Sequence, residues 1–316
     1  MALFLIKRLL GLVLTLLLAA LVIFLVLEIL PGDPAAMMMG VSATPESVAA
    51  LRAELGLERP AAARFLEWLG GFFTGRLGLS YTYRVPVDGL IAERLAVTVP
   101  LSLLALGLAV AFGVTLGTLA AAKAHRSADA IIMGITQLGL AIPNFWFGIL
   151  LVLVFAIGLG WFPAGGFPGW AADPMLAFRA LLLPAIALAL PQAASLARIT
   201  RSTMLETLSE DYIRTARAKG LSRSQTIRRH ALRNALIPVL TILGLQFSFL
   251  LAGTIVVENV FALPGLGRLL IQAIGGHDLI LIKSLVLFYV ATAIIVNALV
   301  DLAYGLADPR LRVGRA

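Results

Sequence analysis

Long apolar runs recur along this 316-residue chain and dominate its pattern. The first covers Leu9 to Leu27, is interrupted only by the polar Thr15, and follows Lys7 and Arg8. About twenty consecutive apolar residues are enough for a helix to cross the hydrocarbon core of a bilayer. A cleavable signal peptide would have a shorter apolar core followed by a small-residue cleavage site, so this run predicts an uncleaved membrane anchor.

Further charge-free stretches predict the remaining spans. They are Leu95 to Ala122, Ala130 to Ala172, Ala180 to Ala197, Ala235 to Val257 and Ser284 to Val300. The second of these is too long for one crossing, and GWFPAGGFPGW at Gly160 to Trp170 predicts an interfacial loop that ends its helix near Leu159. The pattern therefore predicts an all-α integral membrane protein with six transmembrane helices.

The segment between the first two spans carries helix signals of its own. Thr44 is suited to an N-cap and Pro45 to the first helical position, and Gly56 would end that helix. A second helix is predicted from Pro60 to Leu69, stopped by the two glycines that follow. This helical segment would be either a spacer between spans or a docking or gating surface, since structureless loops of such length are uncommon.

Composition agrees with a membrane protein: 60% of the residues are hydrophobic, 13% are charged, and the mean hydropathy is +0.98. The chain has no cysteine, which excludes disulfides, thiolate metal sites and cysteine nucleophiles. Its three histidines lie far apart and none has a metal-binding spacing, so no metal site is expected.

The net charge of +8 is explained by topology. Cytoplasmic loops of membrane proteins retain lysine and arginine, and most of the 25 basic residues fall on the side that includes both termini. Both termini are therefore predicted to be cytoplasmic. The predicted organisation is an N-terminal anchor helix at 1–30, an extracytoplasmic helical segment at 31–94, a five-helix core at 95–305 with a cytoplasmic loop at 198–234, and a cytoplasmic tail at 306–316.

The loop 198–234 has a distinctive pattern. Four positions share one helical stripe: Leu205, Leu208, Tyr212 and Ala216. Glu210 and Arg214 have ion-pair spacing, Gly220 permits a left-handed stop, and Ser222 with Gln225 forms a capping box for a second helix that enters the fifth span. The prediction is helix, glycine turn, helix. A topogenic basic loop and an amphipathic helix lying on anionic lipid remain alternatives.

Two stretches in this loop, DYIRTARAKGLS at Asp211 to Ser222 and HALRNALIP at His230 to Pro238, resemble the permease subunits of bacterial ABC importers, specifically the dipeptide, oligopeptide and nickel branch. Matches to the cytoplasmic signature of the wider class are Thr215, Ala216, Gly220 and Leu232. Departures from that signature, which suit the peptide branch, are Arg214, His230 and Arg233. Similar stretches are LPGDPA at Leu30 to Ala35, the segment Leu55 to Ser80, Ile142 to Gly166, Val256 to Leu270 and Asp301 to Arg312.

The resemblance implies a type I ABC importer permease-like fold in the bacterial inner membrane, and the first (B-type) permease of a heterodimer. The implied partners are a second permease, two cytoplasmic ATPases, an extracytoplasmic binding protein and the lipid bilayer, with no nucleic acid. Di- or oligopeptides are the implied substrate, with nickel, glutathione or another small solute as the alternative. The implied ATPase-coupling residues are Tyr212, Arg214, Thr215, Ala216, Arg217, Ala218, Lys219, Gly220, Leu221 and Ser222.

Other mechanisms have less support in the sequence. No G-x-x-x-x-G-K-[ST] loop occurs, so no catalytic or cofactor-binding residue is expected here, and ATP and Mg would be bound by partner subunits. An ion-coupled secondary transporter would place ionisable groups near the bilayer midplane, whereas Glu28, Lys283 and Asp301 fall near predicted span ends. An intramembrane hydrolase lacks its group of acids or histidines, and an inert scaffold would not need the loop.

Polar, uncharged residues inside the predicted spans either line a path for a zwitterionic peptide or bridge helices. These candidates are Gln137, Asn144, Gln192, Gln246 and Asn297. Prolines within the spans could kink helices around such a path. They are Pro100, Pro143, Pro184 and Pro191.

Overall fold

The computed structural model describes residues 2–29, 33–40 and 43–307, so most of the predicted cytoplasmic tail and part of LPGDPA lie outside the described residues. The first half of the chain contains α1 (Ala2–Ile29), α2 (Pro34–Met39), α3 (Pro45–Glu54), α4 (Ala61–Thr74), α5 (Val87–Ala122), α6 (Ser127–Ala141) and α7 (Asn144–Leu151), which continues as the π-helical segment π1 (Val152–Gly158). The second half contains α8 (Pro174–Ser209), α9 (Asp211–Ala218), α10 (Arg223–Thr226), the π-helical segment π2 (Ile227–Ala231), α11 (Leu232–Val260), α12 (Leu266–Gly275) and α13 (Leu279–Ala307).

Six membrane crossings are present in the described part of the chain when the bent pair formed by α6 and α7 with π1 counts as one. The other five are the long apolar helices α1, α5, α8, α11 and α13. This confirms the all-α fold with six spans.

The third span differs from the continuous helix expected of it, because its two halves meet at an angle of 101°. Ile142 and Pro143 between them have extended backbone, with ψ of 123° and 133°. Proline lacks a backbone N–H and disfavours a helical conformation in the residue before it, so the helix breaks at this point. The predicted end near Leu159 is correct, since π1 ends at Gly158.

The first helix of the segment after α1 has the predicted ends. Thr44 Oγ1 accepts a hydrogen bond from the backbone N–H of Ser47, and Ser47 Oγ accepts one from the backbone N–H of Thr44, which completes a capping box. Gly56, just beyond the helix, has φ of +65° and provides the left-handed residue that ends it.

The predicted end of the second helix is wrong. α4 runs through Gly70 and Gly71 to Thr74 and ends at Gly75, whose φ is +71°. Gly71 instead allows a close approach of the backbone, because an added Cβ would lie 2.3 Å from the carbonyl oxygen of Arg76. A glycine that allows close approach of the backbone cannot be told from a helix stop by its position in the sequence.

The chain divides into two units, and the first comprises Met1–Thr98 with Pro264–Ile295. Its core includes Ala20, Phe24, Trp68 and Leu287. The buried carboxylate of Asp278 accepts hydrogen bonds from Ser80 Oγ at 2.5 Å and from the backbone N–H of Thr82 at 3.0 Å. α12 and the beginning of α13 therefore belong with the segment after α1, a grouping that the order of apolar runs does not predict.

The second unit comprises Val99–Leu263 with Val296–Ala316 and has α8 at its centre. α8 packs against α6, α7 and α11, and most of its apolar length is buried. α5 approaches α8 closely at Gly113 and Gly117, where an added Cβ would lie within 2.6 Å of the side chains of Leu196 and Thr200. Two small residues four apart allow helix backbones in a membrane to come this close.

Candidate functional site

The candidate site begins where α8 ends, and its first element is a helix separate from the span. Glu210 has extended backbone, with φ −67° and ψ 147°, and divides α8 from α9. The expected single stripe of Leu205, Leu208, Tyr212 and Ala216 is therefore wrong, because the first two lie on α8 and the last two on α9. Local periodicity did not detect the break, since no proline or glycine marks it.

One face of α9 is buried against the rest of the second unit. Ile213 and Ala216 are 3% and 8% exposed, whereas the other residues of the helix are exposed. Ile213 packs in one cluster with Ala121 of α5, Met204 of α8, Ile227 and Ala231 of π2, and Ala235 of α11. Ala216 lies on the same buried face of α9 as Ile213, and its contact with an ATPase stays a prediction.

The turn after α9 has the predicted geometry. Gly220 has φ of +90°, and its backbone N–H and that of Leu221 donate to the carbonyls of Arg217 and Ala216 at 3.0 and 3.4 Å. Such paired bonds with a left-handed glycine are typical of a helix C-terminus. Ser222 then forms the predicted capping box with Gln225, and helical structure continues through α10 and π2 into α11.

Polar contacts hold the loop on the ends of the long helices. Arg223 Nη2 donates to the carbonyl of Ala122, the last residue of α5, at 2.7 Å. Asn234 Nδ2 donates to the hydroxyl of Tyr212 at 2.6 Å and so joins α9 to α11. A displacement of α9 would therefore act directly on α5, α8 and α11, because packing and hydrogen bonds connect it to all three.

The solvent-facing side of the loop is basic. The exposed members of the predicted coupling set are Tyr212, Arg214, Thr215, Arg217, Ala218, Lys219, Gly220 and Ser222, while Leu221 is partly buried. Arg214 pairs with Asp211 at 3.2 Å rather than with the expected Glu210, whose extended backbone takes it off the helix. Both partners are highly exposed, so the pair contributes little stability.

A second charged contact lies at the turn between α5 and α6. Arg201 Nε and Nη2 donate to the two carboxylate oxygens of Asp129 at 2.6 and 2.7 Å, and the backbone N–H of His125 donates to the same carboxylate at 3.1 Å. Bidentate pairs of this kind fix geometry as well as charge. This contact attaches the turn to the part of α8 that leads into α9.

The candidate pathway residues are dispersed. Gln246 donates to Ser195 Oγ at 2.9 Å and Asn297 donates to Ser248 Oγ at 3.0 Å, so each bridges two helices. The Asn144 side chain accepts from the backbone N–H of Phe145 at the start of α7. The remaining two, Gln137 and Gln192, are exposed on α6 and partly buried on α8.

Sequence reasoning missed several residues that position the loop. Ile213 could have been found, because it lies three residues before Ala216 and would share its helix face. Asn234 and Arg223 lie within the loop, but no local sequence pattern predicts their hydrogen-bond partners, Tyr212 and Ala122. The pair of Asp129 and Arg201 joins residues 72 positions apart, beyond the reach of local patterns.

The fold is that of an ABC importer permease. The inward-facing MetNI methionine ABC transporter contains a chain that matches with a TM-score of 0.59 and 16% identity, covering 69% of this chain and 96% of that one. A chain of an amino acid ABC transporter matches with a TM-score of 0.53 and 19% identity, covering 68% of this chain and 93% of that one.

Sequence comparison identifies the family. The chain belongs to the family of binding-protein-dependent transport system inner membrane components, which it matches over residues 113–313, and residues 1–102 match the N-terminal region of such components. A putative peptide transport system permease protein of Brucella abortus (strain 2308) is 44% identical over 97% of this chain and 98% of its own length. The glutathione transport system permease protein GsiC of Escherichia coli O6:H1 (strain CFT073) is 40% identical, with 98% of each chain covered.

Proposed function

We propose that this chain forms half of the translocation pathway of an ATP-driven importer for di- or oligopeptides. An extracytoplasmic binding protein delivers the substrate, a homologous permease completes the pathway, and two cytoplasmic ATPases supply the energy. Both termini and the loop 198–234 face the cytoplasm, as the distribution of lysine and arginine predicts. The family and the peptide permeases among the relatives support this proposal.

The observation that carries the mechanism is the divided surface of α9. Its inner face is buried, with Ile213 packed against residues of α5, α8 and α11, while its outer face is exposed and basic. Movement of a partner bound to the outer face would therefore be transmitted to α5, α8 and α11 together. The basic residues Arg214, Arg217 and Lys219 would complement an ATPase groove with acidic residues at its rim.

ATP and Mg bind only to the partner ATPases in this proposal, and the chain itself catalyses no reaction. The absence of a phosphate-binding loop from its sequence supports this division of labour. The purified chain should show no saturable nucleotide binding, and nucleotide binding by the isolated subunit would contradict the proposal.

Glutathione is the second candidate substrate. A relative named as a glutathione transport permease is 40% identical to this chain over nearly its whole length. Glutathione is itself a tripeptide, so the same pathway could accept it. Competition between unlabelled glutathione and a labelled dipeptide in cells whose only importer contains this chain would distinguish the two.

Gly220→Val tests the coupling role of the loop. Gly220 has φ of +90° and open space around it, so valine would not clash but would strain the turn by roughly 1 kcal/mol or more. The variant should insert normally but misplace α9, which would reduce recovery of the ATPases with the chain and reduce peptide uptake several-fold. Affinity purification from gently solubilised membranes, followed by immunoblotting and uptake assays, measures both.

The matched control is Gly169→Val. Gly169 has the same φ of +90° and also has no atom within 4 Å of an added Cβ, but it lies in the loop between π1 and α8. Gly165 in that loop is unsuitable, because a Cβ there would lie 2.8 Å from the carbonyl oxygen of Phe261. Equal ATPase recovery and uptake for Gly220→Val and the native chain would refute the coupling role.

A further inference from the structure

The first unit contains a cavity of ≈ 220 Å³ that the coupling mechanism does not use. It lies among the end of α1, the segment between α3 and α4, α4, the residues after α4 and the beginning of α13. Its charged lining consists of four basic and two acidic side chains: Arg59, Arg64, Arg76, Lys283, Glu28 and Glu67. The lining therefore has an excess of positive charge.

Both carboxylates of the cavity are already neutralised. Glu28 pairs with Arg64, and Glu67 pairs with Arg59 at 2.6 Å. Within 2–29, 33–40 and 43–307, the side chain of Arg76 and that of Lys283 have no ion-pair partner. The unpaired charge of the cavity is thus entirely positive.

Lys283 occupies an unusual setting. Its Nζ lies 5.7 Å from the ring centroid of Phe24 and 5.3 Å from that of Trp68. Aromatic faces attract a cation, but they do not satisfy the three N–H donors of an ammonium group. A charged group partly withdrawn from water is expected to be paired and hydrogen-bonded, so this ammonium group is suited to an acceptor that the chain does not supply.

Tyr81 adds a neutral donor to the same lining. Burial, and to a lesser extent the carboxylate of Asp278, raises the pKa of Tyr81 to about 12, with Arg64 acting in the opposite direction. The phenol therefore keeps its proton at physiological pH and can donate a hydrogen bond to an anion. The rest of the lining is largely apolar and includes Leu27, Leu57 and Ile280.

We propose that this cavity binds an oxyanion, either a phosphate or a carboxylate, through Lys283, Arg76 and the hydroxyl of Tyr81. The aromatic and aliphatic wall then contacts the apolar portion of the same molecule. Charge-assisted hydrogen bonds to a single anion satisfy the ammonium and guanidinium groups that the fold leaves unpaired. The anion belongs either to the headgroup of an anionic phospholipid or to a small soluble solute. This site is independent of ATPase coupling.

Trp68 provides a local readout, because its ring contacts the Lys283 ammonium group. The full chain is placed in nanodiscs of phosphatidylcholine after the other three tryptophans, Trp146, Trp161 and Trp170, are replaced by phenylalanine. Trp68 fluorescence is then followed during addition of inorganic phosphate, of dialanine, or of phosphatidylglycerol in the nanodisc lipid. We expect a saturable change with at least one probe, weakened by added salt because screening opposes ionic contacts.

The three probes separate the sources of the anion. A response to phosphatidylglycerol alone identifies a lipid headgroup, and a response to inorganic phosphate or dialanine identifies a soluble anion. No response to any of the probes would overturn the proposal. Loss of ATPase binding in Gly220→Val has no bearing on this result, so failure of one proposal is distinguishable from failure of the other.

Variants test the assignment of residues. Lys283→Gln should weaken the apparent affinity about tenfold or more, as expected for loss of a charged hydrogen bond, and Lys283→Arg should retain most of it. Lys123→Gln is the charge-matched control, since Lys123 is exposed in the second unit. If Lys283→Gln fails to fold, Arg76→Gln at an exposed position should still weaken binding. Equal affinities for the native chain, Lys283→Gln and Arg76→Gln would overturn the proposal.

Discussion

At the scale of single residues, the ion pair of Asp129 and Arg201 is expected to contribute to stability because it is largely enclosed. Asp129 has 7% of its side chain exposed and Arg201 has 26%, and the two share two hydrogen bonds. By contrast, the pair of Asp211 and Arg214 has side chains that are 93% and 77% exposed. Burial decides the difference, because water and salt screen the exposed pair but not the enclosed one.

Asp129→Asn should therefore destabilise the chain substantially. The change leaves the Arg201 guanidinium partly buried without its counter-charge, and breaking a buried pair costs about 3–5 kcal/mol. We expect the loss of unfolding free energy to lie towards the lower end of this range, because Arg201 retains some access to water. Thermal unfolding in detergent measures the loss. Asp211→Asn is the matched control and should cost about 0–1 kcal/mol. Similar losses for the two variants would contradict this account.

At the scale of elements, the packing of α5 against α8 depends on small residues. Gly113 and Gly117 lie four positions apart on α5, and both have too little space for a Cβ. An added Cβ on Gly117 would approach the backbone carbonyl of Ala197 and would lie 2.6 Å from the Cβ of Thr200. Because α8 is central to the second unit, displacement of α5 would also disturb the cluster beneath α9.

Gly117→Ala should destabilise the second unit by about 1–3 kcal/mol, since the extra methyl group forces two backbones apart. Gly107→Ala on the same helix is the control, because no atom lies within 4 Å of its added Cβ. Alanine is also the better helix former by up to about 1 kcal/mol, so the control should be neutral or slightly stabilising. Unfolding in detergent, monitored by circular dichroism, compares the two. If Gly117→Ala leaves the stability unchanged, the close approach of α5 to α8 is not required.

At the scale of the whole molecule, the predicted topology assigns each loop to one side of the membrane. The basic residues predict that Lys219 lies inside and Glu67 outside. Both positions are exposed, and the native chain has no cysteine. Single cysteines at these positions should therefore react with an impermeant maleimide from opposite sides of sealed vesicles. Labelling of both from one side would contradict the topology.

The sequence by itself determined the features that depend on neighbouring residues. Apolar runs long enough for a bilayer gave six spans, and cap residues such as Thr44 and Ser222 marked helix starts correctly. Gly220 was recognised as a left-handed stop because positive φ favours glycine in any context. The resemblance carried by Asp211 to Ser222 agreed with the family that the comparisons show.

Only the tertiary structure decided which residues meet across the chain. It placed Ile213 against residues of α5, α8 and α11, extended α4 past Gly71, and joined Asp129 to Arg201. It also gathered Lys283, near the start of the last span, beside aromatic rings from α1 and α4. These contacts connect residues far apart in sequence, so they follow from how whole helices pack, and no local period or cap encodes them.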